Sequence, residues 1–127
     1  MDLLTIAVTT TGNAGSASGS ESSIRCTGRV YAVYLAYHAS APATTDVTLA
    51  MTGTPSESIL TIANNATSGW YYPQRPVCLN DGTALAYDIG GSQKVCEPYV
   101  VVDRLKLSIA QSDALTDCAV AYIYLVG

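Results

Sequence analysis

Apolar and polar residues alternate with a period of two along most of the chain, and the most informative stretch is the one that breaks this rule. From Val30 to His38 the sequence reads VYAVYLAYH. In an extended strand Val30, Ala32, Tyr34 and Ala36 share one side, and Tyr31, Val33, Leu35 and Tyr37 share the other. Both sides are apolar, so both need cover, unlike the half-solvated strand of an ordinary antiparallel sheet. A polar stretch, ASAPATTD, and a second strand, VTLAMT, follow, so 30–52 reads as strand, turn, strand. The plan returns near the C-terminus as LKLSI, AQSDALTD and CAVAYIYLV, over 105–126. The two hairpins are expected to supply the central strands of two packed sheets. Their second apolar faces are expected to meet a sister subunit or a larger shell.

The remaining segments read as short strands and turns. Residues 3–10 alternate, with Leu4, Ile6 and Val8 on one side. TGNAGSASGSESS, 11–23, has almost no apolar content and reads as a flexible Gly/Ser-rich segment. It is either a plain connection or an arm that orders against a neighbouring subunit. A short strand over 24–28 is expected to bend at Gly28 into the long strand. Asp46 opens a strand with Val47, Leu49 and Met51 inward, and 58–63 forms another. Pro73 and Pro76 exclude a helix and a central strand from the segment after Trp70-Tyr71-Tyr72. Short strands are expected at 77–79 and 84–89, separated by the turn Asn80-Asp81-Gly82. Pro98 places 95–102 at an edge. Leu105, Leu107 and Ile109 alternate with Lys106, Ser108 and Ala110. SDALTDCAV, 112–120, holds at most one helical turn. The count is about eight to ten short strands and no helix of useful length, which predicts an all-β fold. Within that class, a single-domain antiparallel β-sandwich over 1–127 is expected, jelly-roll-like with about eight strands. The absence of Cys-Trp-Cys spacing argues against an immunoglobulin-like domain.

Charge narrows the list of partners. Charged residues make up 13% of the 127-residue chain, about half the usual share. The surface must therefore be built from Ser, Thr, Ala, Asn, Gly and Tyr, which suits life in an assembly. The net charge is −4 and the six Lys and Arg are scattered, which argues against nucleic acid as a partner. No basic amphipathic helix and no long apolar run points to a membrane. MDLLTIAVTTTG carries Asp2 where a secretory signal has a basic region, so the expectation is a protein made and kept in the cytosol of its producer.

No constellation for catalysis stands out, and no metal or cofactor is implied. The four cysteines, Cys26, Cys78, Cys96 and Cys118, have no C-x-x-C spacing, and the expected role is that of small buried apolar residues. A Cys78–Cys96 bridge is the alternative, and it needs an oxidising medium. His38 lies at a strand end, where local hydrogen bonding is the expected role rather than a triad. Asp46, Asp81, Asp88, Asp103, Asp113 and Asp117 mostly flank turns, where Asp binds the local backbone. Trp70-Tyr71-Tyr72, with Arg75 alongside, admits three readings: a cap on the core, a protein interface, or a platform for a sugar ring.

Three segments, YHASAPATTDVT, GWYYP and LKLSIAQSDALTD, carry a resemblance that extends over nearly the whole chain. It resembles a group of small proteins encoded among the head genes of tailed bacteriophages, the capsid decoration or cement proteins. The resemblance implies a β-sandwich or jelly-roll knob on the outer surface of the virion capsid, made in the host cytoplasm. It implies a homo-oligomer, often a trimer, bound where major capsid protein subunits meet. No catalytic residue comes with it. The interface candidates are Asn13, Ser18 and Glu21 in the Gly/Ser-rich segment, then Trp70, Tyr71, Tyr72 and Arg75, and a tyrosine face of Tyr31, Tyr37, Tyr122 and Tyr124. The competing reading is a carbohydrate-binding or other minor structural module of a phage tail or spike.

Overall fold

The computed structural model describes residues 2–53, 56–78, 80, 81, 83 and 96–127. All regular structure among them is β. The strands are β1 (Asp2–Val8), β2 (Ala17–Ser22), β3 (Cys26–Tyr37), β4 (Asp46–Met51), β5 (Glu57–Ile62), β6 (Gly69–Tyr71), β7 (Gln74–Pro76), β8 (Cys96–Pro98), β9 (Val100–Asp103), β10 (Leu105–Ser112) and β11 (Ala119–Val126). Eleven are described where the sequence pattern counts about eight to ten, and β6, β7 and β8 are only three residues long. The strand expected at 84–89 lies outside the described residues. Of the 112–120 segment, Ser112 ends β10 and 119–120 begin β11, and the residues between them form a turn without a helix.

Every pairing is antiparallel. The first sheet has the order β1-β11-β3-β6, with β9 paired to the N-terminal half of β3. The second has the order β2-β10-β4-β5, and β7 and β8 form a separate ribbon. The pairs nest: β4 with β5, β3 with β6, β2 with β10, and β1 with β11. The chain therefore resembles one long hairpin whose successive rungs fall alternately in the two sheets.

This winding corrects the expected hairpins. The segments 30–52 and 105–126 are not local strand pairs: β3 and β11 belong to the first sheet, β4 and β10 to the second. Each polar loop carries the chain from one sheet to the other. The expected central position of these strands does hold, because β3 and β11 lie inside the first sheet and β10 and β4 inside the second.

The inner faces of both sheets share one apolar core. Ile6, Val33, Leu35, Ala121 and Ile123 come from the first sheet, and Val47, Leu49, Leu105, Leu107 and Ile109 from the second. Burying one such aliphatic side chain stabilises the fold by about 1.5–3 kcal/mol, so this layer dominates the folding energy. Its strands alternate as expected: β10 reads Leu105, Leu107 and Ile109 inward, with Lys106 exposed and Ser108 half-buried.

The Ser-rich segment 11–23 is also corrected. Residues 17–22 form β2, an edge strand whose backbone pairs with β10 of the same chain. A ladder needs backbone groups, not apolar side chains, and one buried Ala17 anchors the strand while its serines face outward. Its ladder partner is thus a strand of its own chain. Gly19 is required there for space: a Cβ would lie 2.5 Å from the Thr9 carbonyl oxygen. Gly28 sits inside β3 at φ 149°, with the Val126 carbonyl 3.1 Å from the place of a Cβ, so a side chain there would be strained and would crowd β11.

One further irregularity decides what β3 shows to each side. Ala32 pairs with Tyr124, but Val30 pairs with Leu125, so β3 has one residue too many at Tyr31. This bulge shifts the alternation. Val30 joins Val33 and Leu35 in the core, and Tyr31 turns out to solvent at 57% exposure.

Candidate interaction face

The outer face of the first sheet is assembled from strands remote in sequence. Across it runs a row in which Trp70 of β6 pairs with Tyr34 of β3, Tyr34 with Tyr122 of β11, and Tyr122 with Thr5 of β1. The next row is Ala32, Tyr124 and Leu3, and Ala36, Val120 and Ala7 make a third. No residue in these rows carries a charge.

The rings touch. Tyr34 and Trp70 have centroids 5.1 Å apart, Trp70 and Tyr124 5.7 Å, and Tyr34 and Tyr122 6.4 Å, all tilted. Tilted pairs at such distances are favourable by about 0.5–1.5 kcal/mol each beyond area burial. Ala32 points outward beside Tyr124 yet is only 2% exposed, because the rings around it close it off. Leu3, Tyr31, Trp70 and Tyr72 remain more than half exposed. Two shallow hollows flank the Trp70–Tyr124 contact. One, of about 310 Å³, is lined by Tyr31, Ala32, Trp70, Tyr72 and Tyr124; the other, of about 380 Å³, by Tyr34, Trp70, Tyr122 and Tyr124.

The opposite surface is chemically different. On the outer face of the second sheet Ser20, Ser108, Thr48 and Thr61 form one continuous row across four strands. The neighbouring row is Ser22, Lys106, Ala50 and Ser58. Short hydroxyl side chains remain well solvated and gain little from being covered. An exposed aromatic cluster gains from cover and is the hallmark of an interaction surface.

The interface candidates divide accordingly. Tyr31, Trp70, Tyr72, Tyr122 and Tyr124 come together on the aromatic face. Tyr37 does not: it packs against the core, and its hydroxyl is buried without a hydrogen-bond partner. Burial, with Tyr71 and Cys118 close by, pushes its pKa up to about 12. Tyr71 also packs on the core, since in β6 it points opposite to its neighbours Trp70 and Tyr72. Trp70 and Tyr71 are thus strand residues, not loop residues, and the aromatic triplet splits between the exposed face and the core. Arg75 is exposed on the β7–β8 ribbon opposite Glu97, and lines neither hollow. Asn13 lies in the turn before β2, Ser18 pairs with Thr11, and Glu21 sits in β2 opposite Leu107 of the second sheet. Tyr34 is the participant that sequence reasoning missed. Its pairing with both Tyr122 and Trp70 depends on a register that one sequence does not display.

The residues considered for chemistry are dispersed in structural roles. His38 Nδ1 accepts a hydrogen bond from the Ser40 amide at 3.0 Å, and its own amide donates to the Cys118 carbonyl. Asp46 accepts from the Asn64 amide and Asp113 from the Gly15 amide, each at 2.9 Å. Asp81 accepts from the Thr83 amide, and these hydrogen bonds hold its pKa below the usual value. Asp103 lies 3.5 Å from exposed Arg25, and Asp88 is outside the described residues. The cysteines depart from the expectation of buried small residues: Cys118 is buried and Cys26 half-buried, but Cys78 and Cys96 are exposed. Burial raises the Cys26 pKa, with Asp103 adding to it and a Ser23 hydrogen bond opposing. Cys118 belongs to a buried polar chain, its Sγ 3.2 Å from Ser112 Oγ, which in turn accepts from Thr45 Oγ1 at 3.1 Å.

No protein-family model matches the chain, and no curated protein or solved structure is similar enough to count as a match.

Proposed function

We propose that the chain is a structural virion protein, a capsid decoration or cement protein that binds the outer surface of a phage head and stabilises it. The observation that carries this reading is the uncharged aromatic face centred on Tyr34, Trp70 and Tyr124. Such a face lacks the paired acids, bases or charges of a reaction centre and has the composition of a protein interface. The resemblance of YHASAPATTDVT, GWYYP and LKLSIAQSDALTD to the decoration proteins supplies the partner, the major capsid protein, and the setting. A β-sandwich with jelly-roll winding belongs to the same reading. It is supported by the nested pairs β1–β11, β2–β10, β3–β6 and β4–β5, the pattern of one long hairpin wrapped over itself.

The mechanism is non-covalent clamping. A specific interface buries about 800 Å² on each partner. A homo-oligomer, such as a trimer, that holds several capsid subunits makes simultaneous release rare even where each contact is weak. Opening the shell then requires breaking these contacts as well as those between capsid subunits. The deciding experiment compares heads with and without the protein for survival of heat or low salt. Higher survival of decorated heads is expected, and equal survival overturns the proposal.

The second reading, a carbohydrate-binding or other minor structural module of a tail or spike, is favoured by one feature. The two hollows beside Trp70 are walled by aromatic rings, and rings of this kind stack on sugar faces. Glycan-array binding that is lost in Trp70→Ala selects this reading over the first.

A further inference from the structure

The β7–β8 ribbon carries Cys96, and Cys78 lies two residues past the end of β7; both thiols are exposed and free. Pro76 pairs directly with Cys96, and Cys78 follows Pro76 by two residues. In an antiparallel ladder, paired residues share a face, and so do residues two apart on one strand. Continuing the β7 alternation puts Cys78 and Cys96 on one face, one diagonal step apart. The Cys78 Sγ lies 3.5 Å from the carbonyl oxygen of Pro76, the residue that pairs with Cys96. Cys26, across the ladder from Asp103, and Cys118, buried beside Ser112, lie on other elements.

We infer that Cys78 and Cys96 are a modification site at which an intramolecular disulfide forms when the chain meets an oxidising thiol–disulfide medium. Diagonal neighbours stand about 7–8 Å apart between Cα atoms, and a disulfide wants about 5.5–6 Å. The ribbon has only three paired rungs and is not a central part of either sheet, so it yields by that small amount at low cost. With oxidised glutathione as the oxidant, the Cys78 thiolate attacks one glutathione sulfur and releases the other as glutathione. The Cys96 thiolate then attacks the Cys78 sulfur of this mixed disulfide and releases the second glutathione. Two thiols lose two protons and two electrons, and one oxidised glutathione becomes two reduced ones. The product ties 78 to 96 and shortens the chain entropy of everything between them. The bridge concerns the chain alone, whatever the aromatic face binds.

The test is to equilibrate the full chain with oxidised glutathione, block remaining thiols under denaturing conditions, and digest with trypsin, whose cuts after Arg29, Lys94 and Lys106 leave Cys26, Cys78, Cys96 and Cys118 on four different peptides. A joined peptide pair, released by reductant and lost in Cys78→Ser and in Cys96→Ser, is the expected result. Cys26→Ser should leave it in place. The inference is overturned by separate mixed glutathione disulfides on the two cysteines, by joined peptides that include Cys26 or Cys118, or by bridges found only between chains. Both thiols are exposed, so neither serine variant removes a core contact.

Discussion

Tyr34 and Trp70 oppose each other across the β3–β6 ladder with ring centroids 5.1 Å apart and planes inclined at 56°. β6 is only three residues long, so this contact does much to hold it on the sheet. Trp70→Ala removes the pairs with Tyr34 and Tyr124 together. The monomer should lose about 1–3 kcal/mol of stability, at up to 1.5 kcal/mol for each pair. Binding to capsid should fall further, by about 30-fold or more if Trp70 is a central anchor. Chemical denaturation reads the first quantity and co-sedimentation with heads the second. A drop in stability without a drop in binding moves the interface elsewhere.

Tyr124→Glu places a charge between Trp70 and the roofed Ala32, in the middle of the uncharged rows. Sedimentation should show monomers with β structure retained. Thr61→Glu, on the hydroxyl face of the second sheet, should leave association unchanged. An unchanged oligomer in the tyrosine variant removes this face from the contact between copies.

Gly19→Ala tests the seam between β2 and the chain leaving β1. The added methyl would sit 2.5 Å from the Thr9 carbonyl oxygen and 3.2 Å from Val8 Cγ1. Backbone at that range must move, which should cost about 1–3 kcal/mol. Thermal unfolding should show a lowered midpoint, whereas Gly53→Ala, with open space around it, should stay close to the parent.

Tyr37 predicts the alkaline limit of stability. Its pKa rises from 10.0 to about 12 in the folded chain, chiefly through burial. The folded state keeps the proton longer than the unfolded chain does. The associated stability is therefore complete below pH 10 and is lost as pH rises to about 12. Tyr37→Phe should flatten the Tyr37 part of that decline. It also deletes a buried hydroxyl that has no hydrogen-bond partner, so neutral-pH stability should hold or rise by up to about 1–3 kcal/mol. Unfolding measured from pH 8 upward checks both, and a variant with the parent's alkaline slope refutes the assignment.

Period-two alternation made much of the core readable: Ile6, Val47, Leu49, Leu107 and Ile109 are inside as their spacing requires, whereas for β3, apolar on both sides, it did not say that Val33 and Leu35 face inward. What stayed hidden was set by long-range pairing. Nothing local says that β3 pairs with β11 and leaves β4 to the other sheet. The extra residue at Tyr31 has no marker in VYAVYLAYH, yet it reverses the phase of the strand. Strict alternation consequently joins Tyr31 with Tyr37 and parts it from Tyr34, the reverse of what the bulge produces. Ser-rich 17–22 looked like a loop because edge strands are specified by the partner's backbone as much as by their own side chains. The aromatic triplet at Trp70 was legible as important. Its division between solvent and core was not, since that depends on β6 joining the sheet.

The nesting of the strand pairs also sets an order of assembly. β4 and β5 are neighbours in sequence, whereas β1 and β11 come from opposite ends of the chain. Closing that outermost pair directly carries the largest loop entropy, but each inner rung, once formed, shortens the free chain that the next must close. The fold can therefore grow from the β4–β5 tip outward like a zip, with the terminal strands locking last. A domain built this way, dominated by pairings between residues far apart in sequence, folds slowly for its size.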